Sequence, residues 1–198
     1  MVRVIAGTAR GRKLRTIDSD KTKPTLDRVK EAMFSIIMPY LPCRNALDLF
    51  SGNGSLGIEA MSRGAAYCVL NDYSGACCSV IRENLKQTGF ENISRVCTYD
   101  FKELISREKK KGTRFDLLLL DPPYGKGLVG EALTAVSDAG IYTGAETREG
   151  EYENACIALA EHSVNDILED RYGVFTRIKT KTYGTVSVSL YEADGGLQ

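Results

Sequence analysis

The residues with the most specific chemistry are Asp121-Pro122-Pro123-Tyr124, which directly follow the apolar run Leu117–Leu120. A short continuous apolar run predicts a strand that is buried on both faces of a parallel sheet. The prolines end this strand because they cannot donate ladder hydrogen bonds. We therefore expect Asp121 and Tyr124 at the carboxyl edge of a sheet, where open α/β folds bind their ligands.

The chemistry that suits this motif is attack by the exocyclic amine of a purine base. Such an amine is a poor nucleophile, and acceptors that hold its two hydrogens favour the developing ammonium geometry of the transition state. The Asp121 carboxylate and the Pro122 carbonyl are the predicted acceptors, and Tyr124 offers a flat face for a flipped or single-stranded base. Asp121, Pro122 and Tyr124 are therefore the predicted catalytic residues. Asp121 is expected to orient the amine rather than to deprotonate it beforehand.

A second motif predicts a cofactor site. The pattern G-x-G-x-x-G runs from Gly52 through Gly54 to Gly57, between a predicted strand and a predicted helix. Its glycines permit a tight turn and close approach of the backbone, and Asp72 at the next strand end can accept from ribose hydroxyls. Asp48 can reach, directly or through water, the ammonium of a methionine moiety. Acids around the loop favour a cationic cofactor without pyrophosphate, which indicates S-adenosylmethionine.

The third predicted strand ends at Asp100, whose carboxylate can accept from the adenine N6 amine. Asp100 could equally cap the following helix, and both roles can hold together. Tyr99 or Phe101 can pack on the adenine ring, and Tyr73 can line the same pocket. The predicted cofactor-binding residues are Asp48, Phe50, Gly52, Gly54, Asp72, Tyr73, Asp100 and Phe101.

The elements that position these residues follow a regular alternation. Thr25 is a suitable N-cap for a helix that runs to Pro39, with Arg28 and Lys30 expected on its outward face. Beyond it, strands are predicted near 45–50, 66–71, 93–99, 115–120 and 155–161, and helices near 55–63, 75–88, 101–110 and 127–139. Two further strands, 172–179 and 182–191, are expected to join at Thr180-Lys181, and 140–153 is expected to be an acidic loop. The pattern predicts an α/β fold with one antiparallel strand inserted in a mostly parallel sheet.

Composition narrows the class of protein. The chain has 198 residues and no net charge, yet residues 1–30 carry nine basic and three acidic side chains. This segment is therefore +6 and the remainder −6, which suggests a polyanionic partner or simply a solvated terminus. The six cysteines form no CxxC or Cys/His cluster, so we expect reduced thiols in the cytoplasm and no metal. His162 is expected in an ordinary structural position. No signal peptide or membrane span is predicted.

The sequence resembles the RsmD-type methyltransferases, which modify guanine N2 in bacterial small-subunit ribosomal RNA. Residues 3–7, 10–12, 23–34, 48–60, 62–65, 121–124 and 183–184 carry the resemblance, and Pro24-Thr25-Leu26-Asp27-Arg28 is its most discriminating part. The resemblance implies a class I SAM-dependent, Rossmann-like fold with a seven-stranded, mostly parallel sheet and an antiparallel last strand. It divides the chain into a basic arm and covering helix (1–40) and a methyltransferase domain (41–198), together one compact domain.

The resemblance also implies partners. It predicts S-adenosylmethionine as cofactor, a monomer in the cytoplasm, and ribosomal RNA as substrate, in a small-subunit assembly particle. The predicted RNA-binding residues are Arg3, Arg10, Arg12, Lys13, Lys23 and Arg28.

Three other functions remain open at this point. An adenine-N6 methyltransferase acting on DNA or RNA would use the same Asp-Pro-Pro-Tyr motif. A non-catalytic RNA- or ribosome-binding module could retain the scaffold. An NAD-dependent oxidoreductase would use a similar glycine loop, although the sequence offers no catalytic Tyr-x-x-x-Lys arrangement.

Overall fold

The computed structural model describes residues 2–16, 27–144 and 155–194. The chain divides into two compact units, Met1–Phe101 and Lys102–Gln198. The predicted boundary after residue 40 falls inside the first unit and stays a prediction. Lys23, the predicted cap Thr25 and most of the predicted acidic loop lie outside the described residues.

The first unit begins with a short antiparallel hairpin of β1 (Val2–Arg3) and β2 (Lys13–Leu14). Helix α1 (Asp27–Ile36) buries an apolar face and leaves Arg28 exposed. The expectation that Lys30 points outward is wrong, because its side chain is completely buried. Lys30 Nζ donates to Ser55 Oγ at 2.9 Å and pairs with the carboxylate of Glu59. This partner-rich environment offsets the cost of burying the charge.

Three strands and two helices complete the first unit. The strands are β3 (Asn45–Asp48), β4 (Tyr67–Asn71) and β5 (Ser94–Cys97), in the spatial order β5-β4-β3 with parallel pairing. The helices are α2 (Ser55–Ser62) and α3 (Gly75–Thr88). Every residue of α2 is buried. A Cβ on Gly57 would lie 2.8 Å from Leu70 Cδ2, so this glycine permits α2 to pack closely on β4.

The second unit contains α4 (Phe101–Lys111, which starts at the last residue of the first unit), β6 (Leu117–Leu120), α5 (Leu128–Ala139), β7 (Ile157–Ser163), β8 (Arg171–Tyr172), β9 (Phe175–Tyr183) and β10 (Val186–Ala193). Its strand order is β6-β7-β10-β9-β8. Strands β6 and β7 pair in parallel, whereas β10 pairs antiparallel with both β7 and β9. The predicted antiparallel last strand is therefore observed. Strand β6 is buried throughout, as its run of leucines predicts.

Two details of the closing strands differ from the prediction. Thr180 and Lys181 lie inside β9, and the hairpin turns instead at Gly184, whose φ is 65°. Gly173, with a φ of 59°, breaks the predicted strand 172–179 into β8 and β9. Because of this break the described residues hold eight strands besides the β1–β2 hairpin rather than seven. The alternating Lys and Thr residues carried no turn signal, and each turn lies at a glycine that adopts the left-handed conformation.

The cysteines are free thiols, all but Cys43 being buried. In the part of the chain that the structure describes, no helix is both long and apolar enough to span a bilayer.

Candidate active site

The glycine loop connects β3 to α2 in the first unit. Gly52 and Gly54 have φ angles of 55° and 81°, in the left-handed region that favours glycine, and Gly54 is the N-cap of α2. A Cβ on Gly54 would lie 3.3 Å from both Leu70 and Ile81, whereas a Cβ on Gly52 would meet nothing within 4 Å. The positive φ of Gly54 favours glycine and a side chain there would crowd Leu70 and Ile81, whereas the loop is open to a ligand at Gly52.

Asp72 fixes this loop through both of its carboxylate oxygens. Oδ2 accepts from the Gly52 amide at 2.9 Å, and Oδ1 accepts from the Ser74 amide at 2.9 Å. The side chain thus joins the glycine loop to the start of α3, a role that the sequence did not reveal. Each oxygen retains a second acceptor site, so the predicted contact with ribose hydroxyls stays compatible with this geometry.

Asp48, at the end of β3, is fully buried. Its Oδ2 accepts from the Gly57 amide at 2.8 Å, and its Oδ1 has no hydrogen-bond partner among the described residues. Burial is the main cause that raises the pKa of Asp48 to about 7. A buried acceptor with an unused oxygen, close in sequence to the open loop, suits an ammonium group. The residues present therefore fit the methionine end of S-adenosylmethionine.

Only some of the residues predicted to line the adenine pocket lie close together in the structure. The rings of Phe50 and Phe101 lie 5.4 Å apart between centroids, and Phe101 is buried. Tyr73 is 79% exposed, and Asp100 is exposed directly before α4. These two side chains lie at the surface of the first unit, where a bound adenosine would have to cover them.

Asn71 is a residue of this site that sequence reasoning missed. Its side chain donates to the carbonyls of Leu49 and Tyr99 at 3.3 and 3.1 Å, and it accepts from the Tyr99 amide at 3.2 Å. It therefore links the ends of β3 and β5. The available signal was a polar residue at the carboxyl end of a buried strand, next to Asp72.

In the second unit, the Asp-Pro-Pro-Tyr motif follows β6 as predicted. Asp121 is half-buried, Pro122 is buried and Pro123 is exposed. The hydroxyl of Tyr124 donates to Glu161 Oε1 at 2.6 Å. Burial, followed by this hydrogen bond, raises the pKa of Tyr124, so the phenol stays neutral at physiological pH.

Pro122, Pro123, Tyr124 and Glu161 line a cavity of about 360 Å³ that includes the loop after β7. Asp166 connects two segments of the cavity lining, because its Oδ1 accepts from the Gly125 amide at 3.0 Å and its Oδ2 accepts from the Ser163 amide at 3.1 Å. His162 also lines the cavity. Its ring nitrogens lie 2.9 Å from the Ser163 carbonyl and 2.9 Å from Ser189 Oγ, in agreement with the structural position predicted for it. Burial lowers the pKa of His162.

Glu161 is the second site residue that sequence reasoning missed. It lies in β7, is only 4% exposed, and contacts a predicted catalytic residue. Leu120 of β6 is level with Ala160 of β7, so the same register continued by one residue makes Asp121 level with Glu161. The available signal was an acidic residue at the end of the otherwise apolar predicted strand 155–161.

The predicted RNA-binding residues lie on the surface of the first unit. Arg3, Arg10, Arg12, Lys13 and Arg28 are exposed, and Lys23 lies outside the described residues. Arg3 Nε pairs with Asp27 Oδ2 at 3.0 Å, so its charge is partly neutralised.

The basic arm is held against α2 by specific contacts. The Glu59 carboxylate accepts from the amides of Ile5 and Ala6 at 2.8 and 3.0 Å. Ser62 Oγ accepts from the Ala9 amide at 3.0 Å. Gly7 has a φ of 82°, and a Cβ there would lie 1.7 Å from the Ser62 carbonyl oxygen, so only glycine fits. The arm is thus fastened to the helix that follows the glycine loop.

No metal centre is found in residues 2–16, 27–144 and 155–194, because no group of at least three His, Cys, Asp or Glu side chains there could hold an ion.

Comparisons with known proteins agree with this geometry. A family model described as Conserved hypothetical protein 95 matches residues 2–192. Ribosomal RNA small subunit methyltransferase D of Haemophilus influenzae is 30% identical, covering 96% of this chain and 93% of its own length. The protein of the same name from Escherichia coli strain K12 is 34% identical, covering 75% of this chain and 77% of its own.

Solved structures show the same fold. Escherichia coli YhhF aligns with a TM-score of 0.81 and 28% identity, covering 98% of this chain and 99% of its own. An RNA methyltransferase from Salinibacter ruber, solved with S-adenosyl-L-homocysteine, aligns with a TM-score of 0.63 and 16% identity, covering 89% of this chain and 97% of its own. The predicted class I methyltransferase fold is therefore confirmed.

Proposed function

The chain belongs to the Conserved hypothetical protein 95 family, the family of the RsmD-type methyltransferases, and we propose that it transfers a methyl group from S-adenosylmethionine to ribosomal RNA. The proposed acceptor is the exocyclic N2 amine of a guanine in small-subunit RNA. The observation that carries the proposal is the Asp-Pro-Pro-Tyr motif directly after β6, whose residues Pro122, Pro123 and Tyr124 line a cavity of about 360 Å³.

The target amine is held by the second unit. The Asp121 carboxylate and the Pro122 carbonyl accept its hydrogens, which directs the nitrogen lone pair away from both acceptors. Tyr124, fixed by Glu161 and neutral, offers its ring to the base. Most of the rate acceleration is expected to come from alignment of the reacting atoms, because no covalent enzyme intermediate is needed.

The cofactor is held by the first unit. Asp48 receives its ammonium group, Asp72 its ribose hydroxyls, and Phe50 and Phe101 line the adenine pocket together with Tyr73 and Asp100. Gly52 and Gly54 allow the backbone to approach it. When bound, S-adenosylmethionine supplies a methyl group activated by a sulfonium. Asp121 stabilises the positive charge that grows on the amine, and the proton leaves late.

The second candidate function is methylation of adenine N6, because Asp-Pro-Pro-Tyr suits either amine. Mass analysis of nucleosides from ribosomal RNA, with and without the gene, separates the two. Loss of N2-methylguanosine on deletion, restored by the wild-type gene but not by an Asp121→Ala variant, is the expected result. Loss of N6-methyladenosine would favour the second candidate, and unchanged nucleosides would refute ribosomal RNA methylation by this protein.

The substrate form is proposed to be a small-subunit assembly particle in the cytoplasm, with the protein acting as a monomer. Parallel assays on naked ribosomal RNA and on particles from a deletion strain test this point. A cofactor-binding titration separates an enzyme from a non-catalytic ribosome-binding module, because the latter would not bind S-adenosylmethionine.

A further inference from the structure

The buried carboxylate of Glu161 has a position that holding Tyr124 alone does not explain. Glu161 lines the same cavity as Pro122 and Tyr124. Only Oε1 is needed to accept from the Tyr124 hydroxyl, and a carboxylate offers about four acceptor positions in total. Glu161 is also level with Asp121 when the register of β6 and β7 is continued by one residue. By this continued register, Glu161 inside β7 lies across from Asp121, which directly follows the end of β6.

Asp166 and His162 also line this cavity, and both form hydrogen bonds within the protein. Asp166 uses each of its oxygens for a backbone amide, from Gly125 and Ser163. His162 engages both ring nitrogens within the protein. Of these three residues, only Glu161 is level with Asp121 in the continued register, so it is the best placed to contact a base held by Asp121.

Purine bases differ in the atom beside the amine. In guanine the N2 amine and N1–H are neighbouring donors on one edge, whereas in adenine the neighbour of the N6 amine is N1, an acceptor. Enzymes that act on a flipped base read this edge by hydrogen bonds. A carboxylate beside the amine-holding group would accept from N1–H of guanine and repel the lone pair on N1 of adenine. A site built to bond a substrate N–H rejects analogues that lack it.

We propose that Glu161 is the residue that selects guanine, by accepting the N1 hydrogen of the target base while Asp121 and Pro122 hold its N2 amine. Neighbouring strands are about 4.8 Å apart, a spacing at which two adjacent carboxylates can contact adjacent nitrogens of one base edge. This inference rests on the proposed function, and it adds the chemical basis for the choice of base.

The test compares two RNA substrates that both carry the N2 amine. Once the target is mapped, one RNA carries guanosine there and the other carries 2-aminopurine riboside, which has an unprotonated N1. The wild-type enzyme is compared with Glu161→Gln, Glu161→Asp, Tyr124→Phe and, as a matched control, Glu131→Gln on the exposed side of α5. The measured quantity is the ratio of kcat/KM for the guanosine RNA to kcat/KM for the 2-aminopurine RNA. This ratio is compared between each variant and the wild type, so the intrinsic reactivity of the two bases does not affect the comparison.

The wild-type ratio is expected to favour guanosine. In Glu161→Gln the amide oxygen is required by the Tyr124 hydroxyl, so the amide NH2 group faces N1 and opposes guanine. The ratio should fall about 10- to 100-fold, the effect of one hydrogen bond to a charged acceptor. Glu161→Asp, which keeps the charge, should fall less. Tyr124→Phe should lower both rates without changing the ratio, and Glu131→Gln should resemble wild type.

Other outcomes overturn the inference. If Glu161→Gln and Glu161→Asp lower both substrates equally, or if Tyr124→Phe changes the ratio as much as Glu161→Gln, Glu161 acts only by holding the tyrosine. Failure of the wild-type enzyme to methylate the guanosine RNA is a different result, because it refutes the proposed function and the inference with it.

Discussion

Lys30 Nζ lies 3.5 Å from Glu59 Oε2, and neither side chain is exposed to solvent. The same carboxylate accepts from two amides of the basic arm and from Arg63 Nε at 2.8 Å. Burial is the main cause that lowers the pKa of Lys30, and the Glu59 charge opposes this shift. Glu59 is therefore the common anchor of the arm, of α1 and of α2.

Replacing Glu59 by glutamine should destabilise the protein strongly. The neutral amide leaves two buried cations without their counter-charge, and breaking a buried pair costs about 3–5 kcal/mol. Urea unfolding measures the loss. Glu103→Gln is the matched control, because Glu103 forms the same i,i+4 pair with Arg107 on the surface, and exposed pairs contribute less than about 1 kcal/mol. Equal losses in the two variants would contradict the role given to Glu59.

The burial of Lys30 is a feature that the sequence alone did not predict. The elements follow from local patterns, and the predicted bounds of helices such as α3 (Gly75–Thr88) agree with the structure. The burial of Lys30 depends on Glu59 and Ser55, which follow 29 and 25 residues later in the chain. No local pattern encodes such a partner, so the helix was predicted while its charged contact was not.

The same distinction applies to the candidate site. Asp72 and Asp121 were found because each follows the end of a predicted strand, a position that periodicity reveals, and Asp48 was found because its strand leads into the glycine loop. Glu161 was missed although it ends the predicted strand 155–161, because its importance comes from a hydrogen bond to Tyr124, 37 residues earlier in the chain. Contacts of this kind become visible only once the strands are placed in order.

The unfolding free energy of the cofactor-free protein should fall as pH rises from about 4 to 7. Burial raises the pKa of Asp48 from 3.8 to about 7 in the folded chain, so in this window the folded chain holds a proton that the unfolded chain has lost. This stabilisation is complete below the pKa of Asp48 in the unfolded chain. It decreases by about 1.4 kcal/mol per pH unit and is lost as pH rises through the pKa of Asp48 in the folded chain. Urea unfolding across this range, with Asp48→Asn as control, measures the slope. A slope that the variant retains would assign it to other groups.

S-adenosylmethionine should bind more tightly as pH rises from about 5 to 7. Its ammonium favours the ionised form of Asp48, so binding below a pKa of about 7 must release a proton. The affinity should rise up to about tenfold per pH unit below this pKa and then level off. Calorimetry in buffers of different ionisation enthalpy detects the released proton. The Asp48→Asn variant should bind weakly and release none, and proton release by that variant would exclude Asp48 as its source.

Removing the exposed charges of the arm should weaken RNA binding in a salt-dependent way. Arg10, Arg12 and Lys13 are exposed, and a protein that neutralises fewer phosphates releases fewer counterions. The triple alanine variant should reduce the slope of log K against log salt by about two to three, roughly one per lost phosphate contact. Filter binding of ribosomal RNA at several salt concentrations measures it. Lys86→Ala on α3 is the matched control, and an unchanged slope in the triple variant would place the RNA elsewhere.

Replacing Asp121 by alanine should abolish methyl transfer while cofactor binding survives. Asp121 belongs to the second unit, whereas the predicted cofactor residues belong to the first, so the change removes an acceptor for the amine and leaves the cofactor contacts in place. The loss of one preorganised electrostatic partner lowers kcat by about 10²–10³ or more. Transfer of a labelled methyl group to ribosomal RNA measures activity, and calorimetry measures cofactor affinity. Asp138→Ala, at an exposed position of α5, serves as the control. Lost cofactor affinity in Asp121→Ala would contradict the assigned role, because an acceptor for the target amine has no reason to hold the methyl donor.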